Sequence, residues 1–295
     1  MRTRRAFAAI LAGTAALFLA TVATAVNAQD GTAAGDVPAF AAPPQGFADE
    51  SPDVRHGQTQ EFSYESAVTQ TRRKAMVYLP AGYAPDRRYP VLYLLHGLSG
   101  NQYEWAGYVR ATVILDKLIA SGRAEPMIIV MPNGRARTDD GPPPPDQMFT
   151  TAHFAAFASF EADLLRSLIP AIDGRYSTLA DAQHRAIAGL SMGGGQALNI
   201  GLTHLDTFGG VGGFSSAPNT KTAAELLPDA DTARRKLKLM YLSCGSQDRL
   251  ISASQSFHRA LRDGGIPHIW HVDAHAHDRE SWAENLYHFA QRAFR

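Results

Sequence analysis

Long apolar runs alternate with amphipathic stretches over most of this chain, and that alternation predicts its elements. "QEFSYES" (60–66) and "RRKAMVYLP" (72–80) alternate apolar and polar positions with β-branched or aromatic content, which predicts an N-terminal hairpin. "PVLYLLHG" (90–97) and "PMIIVMPNG" (126–134) are instead continuously apolar and end in glycine, the pattern of strands buried on both faces. "HRAIAGLS", "GGVGGFSS", "LKLMYLSCG" and "PHIWHVDA" predict four more strands. Between and after them, helical spacing appears over Val109–Ala120, over "SFEADLLRSLIPAID" with Ser159 as candidate N-cap, and over the glycine-rich start "GGGQALNIGLTH". Alternating β and α with doubly buried strands predicts an α/β fold with a mostly parallel central sheet and helices on both faces. Residues 134–155, with "GPPPPD", read as a long surface loop, a type of segment often functional in compact domains.

The N-terminus follows a different pattern. Arg2, Arg4 and Arg5 precede an apolar run to about Val26, and Val26-Asn27-Ala28 offers small residues for cleavage. This is the three-part layout of a secretory signal over residues 1–28, through the general route or, given the paired arginines, the twin-arginine route. The run is rich in Ala and Thr and weak for a membrane span, so stable membrane insertion is not expected. Residues 29–57 turn to Ala, Pro, Gly and Asp without periodicity and read as a flexible leader outside the core. The catalytic domain is then expected over 58–295, in a secreted or periplasmic protein.

Charge and cysteine content narrow the chemistry. Lys plus Arg and Asp plus Glu both number 28, so no basic field points to nucleic acid. Losing residues 1–28 would take away three arginines and no acid, leaving a mildly acidic protein. Cys244 is the single cysteine, so no intramolecular disulfide or Cys-based zinc site can form, and its apolar strand predicts a small core residue.

Gly189-Leu190-Ser191-Met192-Gly193 matches G-x-S-x-G between a predicted strand and a predicted helix, the context a nucleophile elbow requires. No lysine of the phosphate-loop type accompanies these glycines, which argues against a phosphate cradle. A serine attacking an acyl carbon needs a base and a group to orient it. In this architecture they follow in the order Ser, acid, His at strand ends. Asp248 and His277 arrive in that order, with Asp273 and His275 as competing candidates. His271, His275 and His277 crowd one segment, but His271 sits in a strand and no matching ligand cluster is evident; no metal is expected. The loop after the first central strand should bring the second backbone donor, at Leu98, to join Met192 in an oxyanion hole, with His96 in a structural role. Phe289 reads as core.

Together "YLLHGLSGNQYEW", "MPNGRA", "FEADLLRSLIP", "HRAIAGLSMGGGQALNIGL", "GGFSSAPNT", "LSCGSQDRL" and "HDRESWAENLYHFAQ" resemble the esterase D and feruloyl-esterase group of α/β-hydrolases, which includes carbohydrate esterase family 1. The resemblance spans roughly residues 58–295. It implies Ser191 as nucleophile, Asp248 as acid, His277 as base, Leu98 and Met192 as oxyanion donors, and Trp282 beside the substrate. Relatives often carry Gly-Gly-His-Asp where this chain has His275-Ala276-His277-Asp278. The implied activity is serine carboxylic-ester hydrolysis through an acyl-enzyme, without cofactor, on feruloyl or acetyl esters of plant cell-wall polysaccharide. An acyltransferase using a sugar or lipid hydroxyl shares every one of these residues, and a carbohydrate-binding descendant without catalysis is the alternative of another class.

Overall fold

A computed structural model describes residues 36–141 and 143–295. The export signal expected over residues 1–28 lies outside the described residues. All eight predicted strands are present: β1 (Gln58–Glu65), β2 (Arg72–Leu79), β3 (Val91–Leu95), β4 (Ile128–Pro132), β5 (Arg185–Leu190), β6 (Gly210–Phe214), β7 (Leu239–Gly245) and β8 (Ile269–Asp273). They form one sheet in the order β1-β2-β4-β3-β5-β6-β7-β8. β1 and β2 pair antiparallel, β2 joins β4 antiparallel, and the remaining pairs are parallel.

The helices are α1 (Ala111–Ala120), α2 (Thr151–Asp163), α3 (Ile169–Arg175), α4 (Met192–Thr203), α5 (Ala223–Leu226), α6 (Ala230–Lys236), α7 (Ile251–Asp263) and α8 (Arg279–Ala290). Continuous apolar runs make sense here because successive strand residues point to opposite faces and both faces are covered. Val91, Tyr93 and Leu95 of β3 pack with Phe160 of α2, Leu198 of α4 and Leu261 of α7 on one face. Leu92 and Leu94 pack with Ile114 and Leu118 of α1 and Leu286 and Phe289 of α8 on the other. Cys244 is buried in β7, where burial pushes its thiol up, as befits a core residue.

Two expectations need correction. The helix read from Ser159 begins eight residues earlier, at Thr151. The Thr150 side chain caps it by accepting the His153 N–H, while the Ser159 hydroxyl donates back to the Ala155 carbonyl at 2.9 Å. The segment 134–155 is therefore loop only to residue 150, and the Ala-rich "TAHFAAFAS" supplies the extra turns. A π-helical turn, Leu164–Leu168, carries the chain on into α3. Nor is the whole stretch 29–57 a detached leader: the domain begins at Val37. Phe40 stacks on His288 with centroids 4.9 Å apart and lies under the Arg292 guanidinium, and Phe47 meets Tyr287 edge-on. Averaged composition hides these two aromatic anchors.

Register brings the functional loops together. Leu95 pairs with Gly189, Gly189 with Gly213, Phe214 with Ser243 and Gly245 with Asp273. The C-terminal ends of β3, β5, β6, β7 and β8 therefore share one edge of the sheet, where ligands bind in open α/β folds.

Candidate active site

Ser191 occupies the turn between β5 and α4 at φ 52°, ψ −119°, a left-handed conformation that costs a non-glycine residue about 1–3 kcal/mol. Its backbone is held on both sides. Its N–H donates to the Phe214 carbonyl at 2.9 Å, and its carbonyl accepts the Gly195 and Ala217 N–H groups. The flanking glycines leave room for this turn. A methyl on Gly189 would overlap the Gly193 carbonyl, and one on Gly193 would overlap the carbonyls of Leu95 and His96. The Ser191 hydroxyl does not cap its own helix, which leaves it available to a neighbour.

That neighbour is His277. Its Nε2 lies 2.9 Å from Ser191 Oγ, and its Nδ1 lies 2.7 Å from Asp248 Oδ2. Asp248 stands just beyond β7 with its carboxyl sealed from solvent, and its other oxygen accepts the Leu250 N–H at 2.8 Å. Burial alone would raise the Asp248 carboxyl. The hydrogen bond and charge of His277, joined by hydrogen bonds from the Leu250 N–H and the Ser215 side chain, outweigh it, so the group is held below the ordinary carboxylate range and stays ionised. An ionised acceptor at Nδ1 keeps that proton in place and leaves the Nε2 lone pair facing the serine.

The competing residues are engaged elsewhere. Asp273 accepts from the Ser281 hydroxyl at 2.7 Å, from Asn285 Nδ2 at 2.8 Å and from the His275 N–H, tying the histidine loop to α8. The His275 ring turns to Glu284, 3.3 Å away. Trp282, from the first turn of α8, presents its ring perpendicular to that of His277 with centroids 5.2 Å apart. It walls the imidazole in, and the exposed Tyr108 lies edge-on beyond it.

The loop after β3 is held by side chains at Gly97 and Leu98. Glu104 Oε2 accepts the Gly97 N–H at 2.7 Å, and His96 Nδ1–H donates to the Gly97 carbonyl at 2.7 Å. The Leu98 carbonyl accepts from His153 Nε2 at 3.2 Å and Arg135 Nη1 at 3.4 Å. Neither Leu98 N–H nor Met192 N–H has an acceptor among the described residues. Beneath the loop, the Trp105 indole donates to the Leu95 carbonyl.

His96 thus takes the structural role. Its Nε2 accepts the Gly134 N–H at 2.8 Å, which fixes the neutral Nδ1–H tautomer. Burial, and then the charge of Arg135, lower its pKa to about 4. An unfolded histidine titrates near 6.5, so the unfolded state binds more protons between these values. Stability is therefore full above about pH 6.5 and falls as pH drops toward 4, by roughly 3 kcal/mol from this residue. Urea denaturation at stepped pH should show that loss, and His96→Gln should flatten it; equal slopes in both proteins would contradict this account.

Glu104, Arg135 and His153 were not singled out by the sequence. Glu104 had a faint signal, as a lone carboxylate in a glycine-rich stretch after an apolar strand. Arg135 and His153 had none, because the segment that carries them reads as surface loop.

One group of potential metal ligands comes together among the described residues: His271, Glu284 and His288, all buried. His271 Nδ1 accepts the Ala39 N–H at 3.0 Å, so its proton is on Nε2, 3.1 Å from Glu284 Oε1. A ligating histidine needs the opposite tautomer, with its outer nitrogen donating. The cluster fits a hydrogen-bonded anchor for the 37–57 segment, and a chelator is expected to leave ester turnover unchanged. A rate that falls with EDTA and returns with a divalent metal would reverse this assignment.

A serine on a strand-to-helix turn, joined through histidine to a buried aspartate at the carboxyl edge of such a sheet, defines the hydrolase class of the α/β fold. The chain belongs to the esterase family described as "Putative esterase", whose model matches residues 66–224. A protein of Xylanibacter ruminicola named endo-1,4-beta-xylanase/feruloyl esterase is 32% identical over 249 residues, 82% of this chain but 32% of that protein. The chain thus spans about a third or less of the first curated relatives it matches. An acetyl esterase of Caldicellulosiruptor saccharolyticus is 24% identical, covering 75% of this chain and 92% of its own length. Among solved structures, the CE1 ferulic acid esterase of Anaeromyces mucronatus in complex with ferulic acid is 26% identical. Its TM-score is 0.76, over 86% of this chain and 96% of that one.

Proposed function

We propose that this protein is an exported serine carboxylic-ester hydrolase that works through an acyl-enzyme, with feruloyl or acetyl esters on plant cell-wall polysaccharide as its substrates. The observation that carries this reading is the continuous row Ser191–His277–Asp248, at 2.9 and 2.7 Å. Ser191 Oγ attacks the ester carbonyl carbon while its proton passes to His277 Nε2. The imidazolium is stabilised by Asp248 through Nδ1–H. The carbonyl oxygen becomes an oxyanion that accepts the free N–H groups of Leu98 and Met192. Collapse breaks the ester C–O bond, and the leaving alcohol takes the proton from His277. Water then repeats the sequence: it loses a proton to His277, attacks the acyl carbon and releases the acid, and the proton returns to Ser191.

The feruloyl and acetyl preference is supported by the names of the relatives and by the apolar wall that Trp282 and Tyr108 make beside His277. Among the described residues no helix is long and apolar enough to cross a membrane, and the N-terminal pattern supports export. The test is a panel of p-nitrophenyl acetate, methyl ferulate, feruloylated arabinoxylan oligosaccharide and longer-chain esters, alongside labelling by a fluorophosphonate. Release of ferulate or acetate and labelling at Ser191 are expected. Absence of both labelling and turnover would overturn the reading, and turnover confined to long-chain esters would overturn the substrate assignment. Exported protein should begin near Gln29.

A further inference from the structure

Arg135 is an unusual residue for a protein interior. Only about 1% of its side chain is exposed, yet no carboxylate lies within ion-pair reach of it among the described residues. Its Nε and Nη2 have no partner, and the single hydrogen bond of its guanidinium among the described residues is from Nη1 to the Leu98 carbonyl. The carboxylates around it compensate only from a distance: Asp140, Asp139 and Glu104 offset part of its charge without pairing with it. Asp140 is committed to Arg73, and Asp139 lies 3.6 Å from Arg137. Burial and then the Arg137 charge push its own pKa down. Its field reaches the loop after β3, since it helps to depress His96 and to offset the effect of burial on Glu104.

Burying a cation without a directly paired counter-charge destabilises a fold, and a well-packed apolar side chain of the same shape would serve stability better. A negative charge that would sit close to it arises during reaction. On the reading proposed above, the oxyanion forms at the N–H of Leu98, the residue whose carbonyl Arg135 holds. We infer that Arg135 is a positioning residue of the oxyanion site: it fixes Leu98 through the carbonyl, and its buried, unpaired charge favours the tetrahedral anion over the neutral ester. Being sealed from solvent, it acts through Leu98 and not by touching substrate. A preorganised charge of this kind stabilises the transition state without reorganising during the reaction.

The experiment compares Arg135→Met and Arg135→Lys with the unaltered protein in four measurements. These are kcat and KM on p-nitrophenyl acetate, the Ki of an aryl boronic acid that forms a tetrahedral anion on Ser191, the fluorophosphonate labelling rate, and Tm. Arg135→Met is expected to lose about tenfold or more in kcat, less than the ~10²–10³-fold of a direct oxyanion donor. KM should hold, boronate Ki should rise by a similar factor, and Tm should stay level or increase. Arg135→Lys, which keeps the charge, should recover part of the rate and of the boronate affinity. A purely structural role predicts a lower Tm, or failure to fold, with boronate Ki unchanged in whatever folds. Either of those, or a methionine variant with unaltered kcat, overturns the inference. An unaltered protein that neither labels nor turns over overturns the hydrolase reading instead.

Discussion

Replacing Ser191 by alanine is expected to abolish ester turnover, lowering kcat by on the order of 10⁵–10⁶-fold, while the fold and substrate binding persist. On the proposed mechanism the hydroxyl is the one group in the row that bonds covalently to the acyl carbon. Cys244 is buried within the sheet, with its thiol pushed up and away from the thiolate form. On that mechanism the variant keeps the pair of N–H groups and a histidine able to activate water, so a slow residual rate is expected. Asp248→Asn should be less severe, at about 10⁴-fold, because the amide would stabilise the wrong His277 tautomer while preserving shape. Initial rates with p-nitrophenyl acetate at matched protein concentration, checked by loss of fluorophosphonate labelling, measure both. A Ser191→Ala protein with undiminished turnover would remove the mechanism.

The largest expected effect on stability lies at Arg73. This guanidinium, almost wholly buried, joins β2 to three other parts of the chain. It pairs with Asp163 of α2, which is fully sealed from solvent, and with Asp140 at 3.1 Å, and it donates to the Asn133 carbonyl at 2.8 Å. The Tyr64 hydroxyl also donates to Asp163, at 2.7 Å. Arg73→Ala leaves the Asp163 carboxylate buried without its cation, which is expected to destabilise the protein by about 3–5 kcal/mol. For a domain of this size that corresponds to a fall in Tm of roughly 10 °C. Activity should fall too, because residues 133–140 lose the tether that places Arg135 and Asn133 beside the loop after β3. Adding Asp163→Leu to Arg73→Met should restore part of the lost stability, since neither charge is then stranded. Thermal and urea unfolding of the single and double variants test this. A single variant as stable as the parent would show that the network contributes little.

Much of the architecture was legible because its signal is local. An uninterrupted run such as "VLYLL" or "IIVMP" is compatible only with burial on both sides, and each run became a central strand. The Ser191 turn was legible from five residues in context, and Asp248 and His277 as its partners from their order after it, since each follows the end of a strand. Boundaries were less legible where two local signals competed. Thr150 and Ser159 are both credible caps, and tertiary packing of His153 and Phe157 against the loop after β3 decides for the earlier one. The 37–57 segment was misread because Phe40 and Phe47 have no periodicity of their own. Half-buried, they pack against α8 and β7, far away in sequence.

The sequence by itself determined the α/β class, the strand identities, and Ser191, Asp248 and His277 as candidates, because each depends on periodicity, turn chemistry or chain order. Only the tertiary structure showed that His277 and not His275 meets Ser191, and that Asp248 and not Asp273 meets His277. Those pairings depend on which ring reaches 2.9 Å from Ser191 Oγ and which carboxylate is already taken by α8. It alone assembled Glu104, Arg135 and His153 around Gly97 and Leu98. Hydrogen bonds and unpaired charge depend on distance through space, and no pattern along the chain encodes where residues 37 or 55 positions apart will meet.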